Sequence, residues 1–216
     1  MKLFTTAISP NCRRVEAVLH HHGLYDEIEI ERLNLGVVGP ERDELAKVNP
    51  NCKVPTLVMD DIVLWEANPT MIYLADRAWE QTFCPSGPRE RFELMRWQSW
   101  EVQHFNRAVG DIVWETIAKP ALGIGGPDEA KIAAAEGNFH RFAAILDAHL
   151  VDRTFVMGEA LTVADFSVGS HSALALHPQS QVPLAGYENI RRWYHRLEDV
   201  PAWAATAPQW QAEAAE

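Results

Sequence analysis

In the first third of the chain, short runs rich in β-forming residues (2–5, 27–31, 56–59 and 62–65) alternate with stretches of helical spacing. Val15, Val18, Leu19 and His22 share one helical face, as do Met71, Leu74, Ala75 and Ala78, and Asp60-Asp61 forms a tight turn between two strand runs. The order reads β-α-β-α-β-β-α, an α/β unit. The breaker-rich Cys84-Pro85-Ser86-Gly87-Pro88 ends it, and beyond that point the spacing is helical. One long segment runs from Arg89 to about Lys119, a Gly-rich connection covers 120–127, and a second begins at Asp128. In the latter, Ile132, Ala135, Phe139, Phe142, Ala143, Leu146 and Leu150 form a continuous apolar stripe. The pattern therefore predicts an α/β domain over residues 1-80, a linker at 81-88 and an all-helical domain over 89-216. The polar, alanine-rich tail from Gln211 is expected to fray.

Composition narrows the function. The chain has 216 residues, 47% of them hydrophobic, enough for substantial cores without cross-links. No apolar run reaches membrane-spanning length and the first residues lack a secretory signal's apolar region, so a cytoplasmic protein is expected. A formal charge of −11 with scattered Lys and Arg argues against nucleic acid and anionic lipid as partners. Cys12, Cys52 and Cys84 are odd in number and read as free thiols. No metal site is expected: the consecutive His20, His21 and His22 point in different directions on a helix, and no cysteine pair has ligand spacing.

The candidate chemistry lies at three junctions. Ser9-Pro10-Asn11-Cys12 falls between the first strand and the first helix, where thioredoxin-type folds carry a Cys-x-x-Cys pair. A serine in the first position cannot form a mixed disulfide, which argues against dithiol exchange. Ser9 has two readings. It is a helix N-cap followed by proline, or its hydroxyl donates to a thiolate carried by a ligand at the positive end of the helix. The second is energetically sufficient: lowering a thiol pKa from about 8.5 by roughly two units takes about 2.7 kcal/mol. A hydrogen bond to a charged acceptor supplies ~1.5 to 3 kcal/mol and the helix terminus ~0.3 to 1. Cys12 reads as a small packing residue. Val54-Pro55 enters the third strand, where a cis proline would expose the Val54 backbone for strand-like pairing with an extended peptide; the alternative is a plain edge-strand start. Glu66 opens the third helix, either as an ammonium ligand or as a charge complementing the helix dipole.

Together, Ser9 to Val15, Asn49 to Leu57, and Trp65-Glu66 followed by Met71 to Ala75 resemble the glutathione-binding domain of cytosolic glutathione S-transferases, in a bacterial, theta-like form. Gly158 to Phe166 resembles the capping-box segment of the family's helical domain, with Thr162 and Asp165 as the reciprocal pair. The resemblance implies a thioredoxin-like domain joined to a helical bundle, glutathione as co-substrate and a homodimer. It makes Ser9 the catalytic serine. It pairs Val54 with the cysteinyl backbone, holds Pro55 in cis, sets Glu66 and Ala67 at the γ-glutamyl end, and brings Lys53 to the glycyl carboxylate. The chain departs from the family pattern at Cys52, which replaces a usual glycine, and after Glu66, where Ala67-Asn68-Pro69-Thr70 stands in place of Ser-x-Ala-Ile; Ala67 lacks the serine hydroxyl that would contact the γ-glutamyl carboxylate, leaving Thr70 and backbone N–H groups, and Pro69 is tolerable in the first helical turn. For the second substrate, a small and mostly apolar electrophile, the candidates are Trp100, Gln103, His104 and Arg107. The expected reaction is transfer of an alkyl or aryl group to glutathione, a detoxification chemistry. The alternatives are a glutathione-dependent dehalogenase, isomerase or ether-cleaving enzyme, and a non-catalytic scaffold of this fold.

Overall fold

The computed structural model describes residues 1–34, 40–78, 80 and 82–208, with the backbone alone for residues 40 and 41. The expected fraying from Gln211, and Gln81 at the head of the expected linker, lie outside the described residues. The chain divides into two compact units: Met1–Ala78 together with the segment from Pro201, and Trp79–Val200.

The first unit runs β1 (Lys2–Thr5), α1 (Pro10–His21), β2 (Glu29–Arg32), α2 (Pro40–Val48), β3 (Thr56–Val58), β4 (Val63–Trp65) and α3 (Ala67–Arg77). Its sheet has the order β2-β1-β3-β4. β1 pairs parallel with β2 across the α1 crossover, then antiparallel with β3, which pairs antiparallel with β4. The Asp60-Asp61 turn closes the hairpin, the Met59 N–H donating to Ile62 O at 2.9 Å. Alternation along the strands sorts the core into two faces. Phe4 packs with Leu33 and Leu45, and Val48, Cys52, Val54 and Val58 border that cluster. On the opposite face the buried Leu3 and Leu57 meet the apolar sides of the packed pair α1 and α3, where Val15, Val18, Leu19, Met71, Leu74 and Ala75 are all buried. Ala78, expected on that face, is the exposed C-cap residue of α3.

Sequence patterning placed everything from residue 89 onward in one helical domain. The short α11 (Pro201–Ala204), however, belongs to the first unit, because it packs on α1. Trp203 is fully buried there, with the Arg13 guanidinium 4.2 Å above its ring and Arg13 Nη2 donating to Trp203 O at 3.2 Å.

The second unit opens with α4 (Pro88–Trp100), which continues through a π-helical turn at Glu101–Phe105 into α5 (Asn106–Val113), then through a second at Trp114–Ala118 into α6 (Lys119–Ala121). α7 (Glu129–His149) packs against α5 and starts on Asp128, whose side chain accepts from the N–H groups of Ala130 and Lys131. Its expected stripe is buried except for the half-buried Phe142. α8 (Val163–Val168), α9 (Ser172–Ala175) and α10 (Glu188–Glu198) complete the unit. The capping box at the start of α8 is present: Asp165 Oδ2 accepts from Thr162 N at 2.9 Å, while Asp165 Oδ1 accepts from Val156 N at 2.8 Å and Trp193 Nε1 at 3.0 Å. The architecture is thus a thioredoxin-like mixed α/β unit and an all-α unit. No helix of the described residues is long and apolar enough to cross a membrane.

Candidate active site

The strand register gathers the candidate residues of the first unit at one edge of the sheet. Phe4 pairs with Thr56, and Thr56 with Trp65, so these three residues form a row across β1, β3 and β4. The chain leaves β1 toward Ser9, enters β3 from Val54-Pro55, and leaves β4 into Glu66, all at that row's end of the sheet. Ser9, Lys53, Val54, Pro55, Glu66 and Ala67 thereby occupy three adjacent loops.

Ser9 is the N-cap of α1, with extended backbone (φ −84, ψ 122) and Pro10 next to it. Its Oγ accepts from Cys12 N at 3.4 Å, a long bond, and its side chain is half-buried. The two sequence readings are therefore compatible: the cap uses an oxygen lone pair, whereas donation to a thiolate uses the hydroxyl proton. Cys12 is fully buried and burial pushes its thiol pKa up, in keeping with a packing residue.

The Val54–Pro55 bond is cis. Two side chains that sequence reasoning passed over hold this loop. Asn49, 1% exposed, donates from Nδ2 to Lys53 O at 2.9 Å and Thr56 Oγ1 at 2.8 Å, while its Oδ1 accepts from Asn51 N at 2.9 Å. Thr56 Oγ1 in turn donates to Lys53 O at 2.8 Å. The signal was an asparagine directly after α2, at the head of a proline-rich loop whose backbone groups need side-chain partners. Val54 is half-buried and the Lys53 side chain exposed. Cys52 has φ 49, in the left-handed region, which accounts physically for a glycine preference at this position.

Glu66 caps α3 with φ 68, a strained value for a residue with a side chain, and it is exposed. Its carbonyl accepts from Thr70 N at 3.2 Å and Thr70 Oγ1 at 2.8 Å. Thr70 is 1% exposed, so the suggestion that its hydroxyl replaces the one missing at Ala67 does not hold: that proton is committed to the helix's own first turn. Pro69 has no N–H, which leaves the N–H groups of Ala67 and Asn68 to face an anion at this terminus. The buried Arg14 fixes the arrangement from α1, donating from Nη1 to Asn68 Oδ1 at 3.1 Å and from Nη2 to Asn11 Oδ1 at 2.5 Å.

The remaining candidates lie in the second unit. Trp100 is half-buried, stacked on Phe105 (5.7 Å) and edge-on to Trp97 (5.1 Å), so it is largely a packing residue. Gln103, His104 and Arg107 are exposed, and His104 stacks on Phe142 at 4.6 Å. Ideal helical spacing places Trp97, Glu101, His104 and Ala108 on one face. The π-helical turn inserts an extra residue, so the buried face instead follows Trp97, Glu101, Phe105 and Ala108, and His104 is turned outward.

Family models assign the same two parts. Residues 8–77 match the N-terminal domain of glutathione S-transferases and residues 129–196 match the C-terminal domain. The chain belongs to the glutathione S-transferase family. Among its relatives, glutathione S-transferase 3 of Zea mays is 26% identical over 95% of this chain and 92% of its own length. Glutathione S-transferase GstB of Escherichia coli K12 is 29% identical over 76% of this chain and 77% of its own. Among solved structures, the theta class glutathione S-transferase of Xanthomonas axonopodis pv. citri, with glutathione bound, superposes with a TM-score of 0.80 at 26% identity, covering 95% of this chain and 96% of that one.

Proposed function

We propose that Ser9 is the group that activates the thiol of bound glutathione, for attack on a small electrophile. The observation that carries this reading is the convergence of the Ser9, Val54-Pro55 and Glu66-Ala67 loops at one sheet edge. Two of the three loops are helix N-termini, which favour negative charge. In this arrangement the backbone of Val54 pairs with the cysteinyl residue, Lys53 meets the glycyl carboxylate, and Glu66 with the N–H groups of Ala67 and Asn68 receives the γ-glutamyl ammonium and carboxylate. Ser9 then donates its hydroxyl proton to the thiolate, and its capping bond keeps the oxygen in place. Trp100, Gln103, His104 and Arg107 are assigned to the apolar second substrate. A cytoplasmic detoxifying homodimer is the corresponding biological reading. Phe92 and Met95, one turn apart on α4 and 61% and 55% exposed, offer an apolar patch for self-association.

Ser9→Ala tests the central assignment. Losing a hydrogen bond of ~1.5 to 3 kcal/mol to a charged acceptor raises the bound thiol pKa by about 1 to 2 units. The thiolate's ultraviolet absorbance and the acid limb of the conjugation rate should both move to higher pH by that amount. If neither moves, Ser9 is only a helix cap.

A further inference from the structure

Two asparagines stand at equivalent points of the candidate site. Ser9 caps α1 and Pro10 follows it, so Asn11 is the second residue of that helix. Glu66 caps α3 and Ala67 follows it, so Asn68 is the second residue of the other. An N–H group at this position has no acceptor within its own helix and faces whatever anion lies beyond the terminus. In the first turn of α1 such donors are few. Pro10 has no N–H, that of Cys12 goes to Ser9 Oγ and that of Arg13 to Ser9 O, which leaves Asn11 among the described residues.

One group holds both asparagine side chains. Arg14, 5% exposed, donates from Nη2 to Asn11 Oδ1 at 2.5 Å and from Nη1 to Asn68 Oδ1 at 3.1 Å, across the packed pair α1 and α3. A guanidinium only donates, through a planar fork of fixed spread. It therefore sets which atom of each amide faces it and how far apart the two helix starts lie. An asparagine oxygen at a helix start otherwise accepts from the backbone N–H groups there, in competition with a bound anion. Arg14 withholds both oxygens from that competition.

We propose that Arg14 is a positioning residue for glutathione: it keeps the helix starts of the thiol and of the γ-glutamyl end in register, so that binding of the γ-glutamyl end places the sulfur at Ser9. It acts through the two asparagines rather than on the ligand, through Asn11 at the thiol and through Asn68 at the γ-glutamyl carboxylate. The preference for glutathione over a thiol without the γ-glutamyl residue then depends on these two contacts. The inference rests on Ser9 activating the thiol.

The test reads two quantities in the full chain. One is the pKa of the bound glutathione thiol, from the thiolate's ultraviolet absorbance; the other is the ratio of the Kd of cysteinylglycine to that of glutathione, from titration calorimetry. Losing a charge-assisted bond at each helix start corresponds to a rise of about one pKa unit and about a tenfold fall in the ratio. Arg14→Met should show both. Asn68→Ala should lower the ratio, Asn11→Ala should raise the pKa, and neither should add to the effect of Arg14→Met when combined with it. If Arg14→Met does not fold, the two asparagine variants carry the test alone. Arg14→Lys keeps the charge but lacks the fork, so it should restore at most one of the two effects. A role in folding alone would lower stability and leave both quantities unmoved; that result, or full restoration of both by lysine, overturns the proposal. If Ser9→Ala raises the thiol pKa while the Arg14 and asparagine variants do not, this inference fails and the Ser9 reading stands. If Ser9→Ala leaves the pKa unmoved, both fail.

Discussion

Ala67 gives the sharpest handle on how glutathione is held. It is the first residue of α3 and is 4% exposed, so its methyl group lies where a serine hydroxyl would point from a helix N-terminus. Around it the donors are few: Pro69 lacks an N–H, and both the N–H and the hydroxyl of Thr70 are spent on Glu66 O. Ala67→Ser therefore adds a donor that nothing else at the terminus supplies. A hydrogen bond to a charged carboxylate contributes ~1.5 to 3 kcal/mol. The lower end applies because in the proposed arrangement the N–H groups of Ala67 and Asn68 would share the anion, and ~1.5 kcal/mol is about a tenfold fall in Kd. Titration calorimetry with glutathione measures it, and cysteinylglycine, which lacks the γ-glutamyl residue, is the internal control. Glutathione should tighten about tenfold and the dipeptide should not change. Equal tightening of both, or no change in either, would mean that the γ-glutamyl end does not lie at Ala67.

Two further predictions concern stability. At Cys52 (φ 49) the left-handed backbone costs a residue with a Cβ ~1 to 2 kcal/mol, against ~0.4 to 1 kcal/mol for the extra unfolded-state freedom of glycine. Cys52→Gly should thus be more stable than Cys52→Ala by about 0.7 kcal/mol in urea unfolding, whereas glycine trailing alanine would show that the φ is not maintained in solution. Asp165 is fully buried, and burial raises its pKa from 3.8 to about 6 despite its hydrogen bonds. The folded state then binds more protons than the unfolded one between those values. The stability contributed by this group is complete below about pH 4 and declines as pH rises through 6, by up to ~3 kcal/mol. The difference in unfolding free energy between wild type and Asp165→Asn, followed by denaturant titration from pH 4 to 7, should shrink with rising pH; a flat difference would refute the shift.

Local patterning carried the α/β order, the two long helical segments and the capping box, because each depends on residues close together in sequence. The loops at Ser9, Val54-Pro55 and Glu66 were legible as a set for the same reason: each is a strand–helix junction marked by its own proline, serine or acidic residue. What escaped was non-local. Arg14 acts through Asn68, a partner found only once the α1–α3 pair exists; Asn49 is the exception, for its partners Lys53 and Thr56 lie within its own loop. The outward turn of His104 follows from a π-helical turn, which shifts the helical period by one residue and leaves no compositional mark. The pairing of Arg32 with Glu16 bridges a strand and a helix 16 residues apart, and alternation or helical spacing taken singly does not relate them.

The return of Trp203 to α1 bears on how the chain is made. Residues 79–200 stand between the two pieces of the first unit. During synthesis the α/β sheet can assemble early, but the Trp203 face of α1 stays open until the segment from Pro201 has followed residues 79–200 out of the ribosome. A ribosome-stalled chain ending at Val200 would carry the Ser9, Val54-Pro55 and Glu66 loops yet lack the clamp of Trp203 on Arg13.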